Sequence, residues 1–137
     1  MRRSIYAGAA AEAHAVFERA ALVHIAGAGE DGAPILRAVH PVVHAGALFF
    51  HAAPAGEKMG LLDRPVVAMS QEVVAEVPSY AVDPQRACPA TTFYRAAQAK
   101  GILRVEDDMD VKARVLEGLM GKFQPEGGYA PIDARDA

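Results

Sequence analysis

Tryptophan is absent from this chain of 137 residues, and cysteine occurs once, at Cys88. One cysteine excludes an internal disulfide and fits a reducing compartment, so we expect a cytoplasmic protein. No apolar run approaches the ~18 residues of a membrane-spanning helix. The basic N-terminus is not followed by the apolar segment of a signal peptide. The sequence therefore predicts no membrane partner.

An excess of charge of either sign is lacking as well. The 14 Lys and Arg residues and 17 Asp and Glu residues give a formal net charge of -3 and are spread along the chain. Because there is no basic patch, nucleic acid is not an expected partner. Apolar residues make up 52% of the composition, which is enough for a hydrophobic core. The length suits a single domain over residues 1–137.

Hydrophobic periodicity and turn residues divide the chain into helices and strands. The pattern predicts a helix over 9–21, strands over 22–26, 35–44, 47–52, 66–77 and 91–105, a helical turn over 58–63, an irregular loop over 78–89 and a last helix that ends at 124–128. Phe17 should pack the first helix, and Asp108 or Asp110 should cap the last one. Pro41 should make the end of the second strand an edge or a bend.

The connections between the strands indicate the architecture. Tight turns at 27–34 and 45–46 join the first three strands, which predicts an antiparallel meander. Five antiparallel strands with two flanking helices hide both sheet edges only if the sheet curls. We therefore expect a mainly β fold, a small closed or half-open antiparallel barrel. The tail over 129–137 has no capping element, which is typical of a chain that stops before its last strand.

The segment over 48–59 carries the strongest functional signal. A hydrophobic strand leads to His51, and residues 54–59 (the 54–59 turn) then deliver Lys58 at a predicted helix start. Unpaired backbone N–H groups and a nearby ammonium suit a phosphate, with His51 close to whatever the phosphate carries. An ordinary strand-to-helix turn with a solvated lysine explains the same pattern, and both interpretations stay open.

Arg37 interrupts an otherwise apolar strand, where a charge needs a partner or an edge position. If Arg37, Lys58 and the helix start converge at one end of the barrel, they form a site for an anionic cofactor. An arginine in solvent on an edge strand is the alternative.

Metal and nucleophile chemistry have weaker support. The five histidines include no His-Glu-x-x-His pair. His40 and His44 lie roughly 13 Å apart along one strand, too far to chelate one ion. Cys88 has no adjacent base and the serines lack a nucleophile elbow, so packing explains Cys88 better. We predict no metal site.

Three short motifs occur in order along the chain. They are Phe49-Phe50-His51-Ala52 with Gly56-Glu57-Lys58, then Cys88 with Tyr94-Arg95, and then 101–105 leading into an Asp-led helix that ends Lys122-Phe123-Gln124-Pro125-Glu126-Gly127-Gly128. Over about residues 22–132, this order and spacing resemble the FMN-binding split-barrel family that includes pyridoxamine 5'-phosphate oxidase. Within that family, the chain is most similar to the nitroimidazole-reductase-like branch.

The resemblance implies an FMN at the interface of a homodimer and a small-molecule substrate. The strand Arg37-Ala38-Val39 would lie along the flavin, and the segment from His51 to Lys58 would hold its phosphate and ribityl end. Tyr94 and Arg95 would approach the flavin of the second subunit. The cofactor-binding residues that the resemblance implies are Arg37, Ala38, Val39, Phe50, His51, Gly56, Lys58, Tyr94 and Arg95.

A flavin-dependent oxidoreductase is the first functional hypothesis, in which FMN passes electrons from a nicotinamide to a small organic acceptor. His51 is the candidate catalytic residue, as a group that orients the ring or the substrate. A non-catalytic flavin or haem carrier or sensor is the second hypothesis, and an assembly module with an empty cleft is the third. Glu57 stands where the family has a basic residue and Ala96 where it has a serine, and the family's closing strand would follow Ala137.

Overall fold

The computed structural model describes residues 7–133 and 136; the basic N-terminal residues 1–6 and the tail residues 134, 135 and 137 lie outside the described part. The elements are α1 (Ala10–Arg19), β1 (Val23–Ala28), β2 (Pro34–Val39), β3 (Pro41–His44), β4 (Ala47–Phe50), β5 (Pro65–Val77), β6 (Thr91–Ile102) and α2 (Met109–Phe123), with short 3₁₀ helices at Glu57–Leu61 and Ser79–Ala81. The predicted mainly antiparallel fold with two flanking helices is confirmed.

Four strands form the larger sheet, in the order β2-β1-β5-β6 with every neighbouring pair antiparallel. Val23 and Ile25 of β1 are buried whereas His24 between them is exposed, because successive side chains of a strand point to opposite faces. The buried face forms the core with α1, as predicted for Phe17. The buried members of this core are Val16, Phe17, Val23, Ile25, Ile35, Leu61, Ala68 and Ala97.

The predicted strand over 35–44 is in fact two strands. β2 ends at Val39 and β3 begins at Pro41, and β3 pairs with β4 in a separate two-stranded sheet. Proline has no N–H to donate to a strand ladder, which explains why the chain leaves the larger sheet here. The predicted three-stranded meander is therefore wrong: β1–β2 and β3–β4 are both antiparallel hairpins, but they lie in different sheets.

Helix α2 begins after its N-cap residue, Asp108, and packs against β3 at Gly118. The Asp108 carboxylate accepts hydrogen bonds from the N–H groups of Asp110 (2.9 Å) and Val111 (3.2 Å), which settles the N-cap. A Cβ on Gly118 would lie 3.0 Å from a methyl of Val42, so the helix approaches β3 closely. No helix of the described residues is both long and apolar enough to cross a membrane.

Strands β5 and β6 extend well past β1. Because β1 pairs with β5 only over residues 66–69, residues 71–77 and 91–96 form a two-stranded projection, the β5–β6 arm. Its apolar side chains are unusually accessible, with Val73 61%, Phe93 59% and Tyr94 64% exposed. The arm therefore presents apolar surface that this copy of the chain does not cover.

Candidate functional site

A cleft of about 550 Å³ lies between the β4 hairpin and the region where β6 leads into α2. Its volume falls in the range of small-molecule sites, roughly 300–1,000 Å³. The apolar and aromatic lining consists of Ala47, Leu48, Phe49, Phe50, Ala52, Ala53, Pro54, Met59, Leu62, Ile102, Leu103, Val105, Val115 and Leu116. Such a lining suits a planar apolar group better than a small polar one.

The 54–59 turn forms one edge of this cleft, through Pro54, Lys58 and Met59. Gly56 has φ 88° and ψ 175°, a backbone conformation that is essentially restricted to glycine. The Met59 N–H then donates to the Gly56 carbonyl at 3.0 Å and starts the 3₁₀ helix. Leu61, at the end of that helix, is fully buried in the core, so the turn is fastened to the sheet.

Lys58 is half-buried at the cleft, and its ammonium donates to the Ala55 carbonyl within the same turn. No carboxylate of the described residues forms an ion pair with it. A carbonyl satisfies one N–H without neutralising the charge, so Lys58 offers a positive charge to a ligand.

Arg37 lies on β2, an edge strand of the larger sheet, and its side chain is 45% exposed. Its guanidinium forms an ion pair with Glu57 and also donates to the Leu36 carbonyl at 2.6 Å. The ion pair brings Arg37 beside the residue that precedes Lys58. Arg37 therefore lies at an edge position next to the 54–59 turn, but it is not among the residues that line the cleft.

The other predicted cofactor-binding residues lie partly at the cleft and partly on the larger sheet. Phe50 and His51 line the cleft beside Lys58, and His51 is exposed. Ala38 is exposed on β2, and Val39 packs against the core. The structure thus gathers Phe50, His51 and Lys58 at one cavity.

Tyr94 and Arg95 lie on the β5–β6 arm. Tyr94 is eight residues from Ile102, the residue of β6 that reaches the cleft, which corresponds to roughly 26 Å of extended strand. Within one chain, these two side chains are therefore remote from the cleft.

An ion-pair network on the arm holds Arg95 in place. The Glu72 carboxylate accepts from Arg19 at 2.8 and 3.0 Å and from Arg95 at 3.2 Å. The hydrogen bond from Arg19 is the main cause that lowers the pKa of Glu72 below its usual value, and the bond from Arg95 adds to it. The same bond with Glu72 raises the pKa of Arg19.

Charged groups also line the opposite wall of the cleft, and these were not predicted: Arg104, Glu106 and Lys112. The Glu106 carboxylate accepts a hydrogen bond at 2.9 Å from the N–H of Asp108, the N-cap residue of α2. In the sequence, the only indication that Arg104 and Lys112 reach the cleft is their position, close to the end of β6 and the start of α2.

Metal ligands and nucleophiles were also considered in the sequence, and the structure places them as follows in the part of the chain that it describes. No three His, Cys, Asp or Glu side chains come together there as a metal site. Cys88 is exposed in the loop between β5 and β6, so the packing role expected for it is wrong. Ser70 is buried and donates to the Leu22 carbonyl at 3.1 Å, a packing role.

The family model for pyridoxamine 5'-phosphate oxidase matches residues 9–137, nearly the whole chain. The chain belongs to the pyridoxamine 5'-phosphate oxidase family. This membership confirms the resemblance seen in the sequence motifs. No curated protein sequence matches the chain significantly.

Solved structures of the same fold agree with this membership. The flavocytochrome Anf3 from Azotobacter vinelandii is 17% identical with a TM-score of 0.72, and the match covers 93% of this chain and 58% of that one. The FAD and heme binding protein from Mycobacterium smegmatis is 16% identical with a TM-score of 0.76, over 95% and 62% of the two chains. A protein described as a 5-nitroimidazole antibiotic resistance protein, from Bacteroides thetaiotaomicron, is 15% identical with a TM-score of 0.68, over 90% and 71%.

These matches confirm the split β-barrel as the fold. This member of the pyridoxamine 5'-phosphate oxidase family spans about three fifths of the length of the first two structures that it resembles.

Proposed function

We propose that this chain binds FMN and works as a flavin-dependent oxidoreductase that reduces a small organic acceptor with electrons from a nicotinamide. The observation that carries the proposal is the position of Lys58. It places a positive charge, not paired with any carboxylate of the described residues, at the edge of an apolar cleft. Family membership and the flavin-binding proteins of the same fold support the choice of ligand.

The residues present fit a flavin in two respects. A flavin combines a planar, largely apolar ring with an anionic phosphate. The cleft combines an aromatic and aliphatic lining, including Phe49 and Phe50, with the cationic Lys58 at one edge. Arg37 forms an ion pair with Glu57, the residue before Lys58, and adds a guanidinium donor beside the turn.

A bound flavin would supply the electron transfer, and the protein would supply position and environment. In this proposal the apolar lining excludes water from the ring, and Lys58 and Arg37 hold the phosphate. Ala38, Val39 and Gly56 shape the backbone around it. His51 is exposed at the cleft wall, where its ring can donate a hydrogen bond to the cofactor or to the substrate.

The proposal includes a homodimer in which each flavin site uses both subunits. The exposed Val73, Phe93 and Tyr94 support it, because an apolar surface of this kind is typical of a protein–protein contact. Tyr94 and Arg95 are too far along β6 to reach their own cleft, so they would act on the flavin of the second subunit. Light scattering at micromolar concentration tests this part, and a monomer would contradict it.

A non-catalytic flavin or haem carrier is the second candidate. It is favoured by two of the structures of the same fold, a flavocytochrome and an FAD and heme binding protein. The visible spectrum of the protein as purified separates the candidates. A flavin band in the blue that bleaches when NADH or NADPH is added supports the oxidoreductase. A Soret band, or a flavin that no nicotinamide reduces, supports the carrier.

Substitution of Lys58 tests the site directly. Lys58→Ala should weaken FMN at least tenfold and riboflavin much less, because only FMN carries the phosphate. Lys100→Ala, which removes an exposed lysine from β6, is the matched control and should leave both affinities unchanged. Equal losses of FMN and riboflavin in Lys58→Ala would show that Lys58 does not contact the phosphate.

The cytoplasmic location proposed from the single Cys88 is tested separately by cell fractionation.

A further inference from the structure

The lining of the cleft carries more positive than negative charge, although the chain as a whole is acidic. Its cations are Lys58, Arg104 and Lys112, and Glu106 is the carboxylate among the described residues that line it. The whole chain has a formal net charge of -3. Because a cleft with an excess of one sign of charge concentrates ligands of the opposite sign, this cleft favours an anionic ligand over a neutral one.

Arg104, Glu106 and Lys112 form what we call the charged wall of the cleft. Backbone hydrogen bonds fix the chain immediately before Arg104. The Asp63 N–H donates to the Leu103 carbonyl at 2.8 Å, and the Leu103 N–H donates to the Arg64 carbonyl at 3.2 Å. These bonds tie the end of β6 to the segment just after the 3₁₀ helix that carries Lys58. The two sides of the cleft are therefore held together by the backbone.

Lys112 lies on the face of α2 that borders the cleft. Val115 and Leu116 follow three and four residues later and also line the cleft, as expected for neighbours on one face of a helix. Lys112 is half-buried, whereas Arg104 is exposed. The charge of Lys112 is therefore screened less by water than that of a fully exposed lysine.

The two cations of the charged wall have no acidic partner in the described part of the chain. No carboxylate there forms an ion pair with Arg104 or Lys112. The Glu106 carboxylate accepts from the Asp108 N–H, and the Asp108 carboxylate accepts from the first turn of α2. Two cations and one carboxylate leave the wall with one net positive charge, which matches a ligand group with one negative charge.

We propose that Arg104 and Lys112 form a second anion-binding subsite of the cleft, which holds the carboxylate of the small organic acceptor. This inference rests on the proposed oxidoreductase function, in which Lys58 holds the phosphate of FMN. Because the charged wall lies across the cleft from Lys58, its cations serve a second ligand while the phosphate is bound at the turn. A guanidinium binds a carboxylate through two parallel N–H donors, so the wall orients the acceptor as well as attracting it.

The size of the cleft favours the acceptor over the nicotinamide donor as the molecule that uses this subsite. A volume of about 550 Å³ is typical of a site for one drug-sized ligand. With the flavin ring inside, the cleft has more room for a small carboxylate than for a whole dinucleotide.

Benzoate and benzamide are suitable probes, because both are flat and only benzoate is an anion at neutral pH. Isothermal titration calorimetry of the FMN-loaded full chain at low salt gives both affinities. Arg104→Gln and Lys112→Gln should each weaken benzoate about tenfold, because each removes a charge-assisted hydrogen bond, and should leave benzamide unchanged. Lys112→Arg keeps the charge and should retain most of the affinity for benzoate.

Two further variants are controls for the charged wall. Arg114→Gln removes an exposed arginine of α2 that does not line the cleft, and benzoate should bind as before. Glu106→Gln removes the negative charge of the wall but keeps an oxygen for the Asp108 N–H, so benzoate should bind about threefold more tightly. Thermal melts check that each variant is folded. Because Arg104 is exposed, its variant carries the test even if Lys112→Gln melts at a lower temperature.

The outcomes distinguish this inference from the proposed function. If Arg104→Gln and Lys112→Gln weaken FMN but not riboflavin, the wall holds the flavin phosphate, and the inference is overturned while flavin binding stands. A higher KM for NADPH with benzoate binding unchanged would assign the wall to the diphosphate of the donor and overturn the inference as well. Equal losses of benzoate and benzamide would show that the wall does not recognise charge. If the wild type binds no flavin, both proposals are overturned.

Discussion

Leu61 is the residue whose replacement tests most directly how the 54–59 turn is held in place. Its side chain is fully buried, and a Cβ on Gly27 would come within 2.8 Å of a Leu61 methyl, so the side chain fills its space closely. Leu61→Ala should therefore lower the free energy of unfolding by about 3 kcal/mol, from lost burial and from the cavity left behind. For a chain of 137 residues this corresponds to a melting temperature lower by about 10 °C.

Leu36→Ala is the matched control, since Leu36 lies on β2 and is 59% exposed. It should change stability by less than about 0.5 kcal/mol. Circular dichroism melts at one fixed protein concentration compare the two variants without interference from subunit association. If Leu61→Ala melted within about 2 °C of Leu36→Ala, the turn would not be anchored through the core, and the reasoning would be refuted.

Three further predictions concern packing, a turn and pH. Gly121→Ala should raise stability by about 0.5–1 kcal/mol, because nothing lies near its new methyl, whereas Gly118→Ala should lower it by about 1 kcal/mol as its methyl meets Val42. Urea unfolding measures both, and equal effects would contradict the packing. Ala45→Asn should stabilise the β3–β4 hairpin by about 0.5–1 kcal/mol, because Ala45 has φ 48°, and a loss in urea unfolding would contradict this. The stability that wild type gains over Glu72→Gln should be full above pH 4.5, the ordinary pKa, and disappear as pH falls through the lowered pKa. A difference in melting temperature that did not change between pH 7 and pH 3 would contradict it.

The elements of the fold were predictable because their signals are local. The valine-rich pattern of β5, the packing of Phe17 and the cap at Asp108 each depend on residues close together in the sequence. The strand with which β3 pairs, in contrast, depends on residues that are far apart in the sequence. Pro41 marks the break, but the choice of a second sheet depends on α2 packing against Val42 through Gly118, more than 70 residues away.

The same distinction between local and distant residues explains which parts of the candidate site were predicted. Phe50, His51 and Lys58 were predicted together and reach one cleft, because they are neighbours in the chain. Arg104 and Lys112 escaped prediction because an arginine and a lysine after a strand usually lie in solvent, and only tertiary structure turns them toward a cavity.

Glu57 shows most clearly why sequence and structure support different conclusions about the same residue. In the sequence it is a carboxylate where the family has a basic residue, which counts only as a departure that weakens an anion site. The structure supplies its partner from another strand, since Glu57 binds Arg37 of β2. A lone carboxylate beside Lys58 would cancel the charge of the lysine, whereas a carboxylate that is paired with Arg37 leaves that charge in place. Despite this departure, the turn therefore keeps the net positive charge of Lys58.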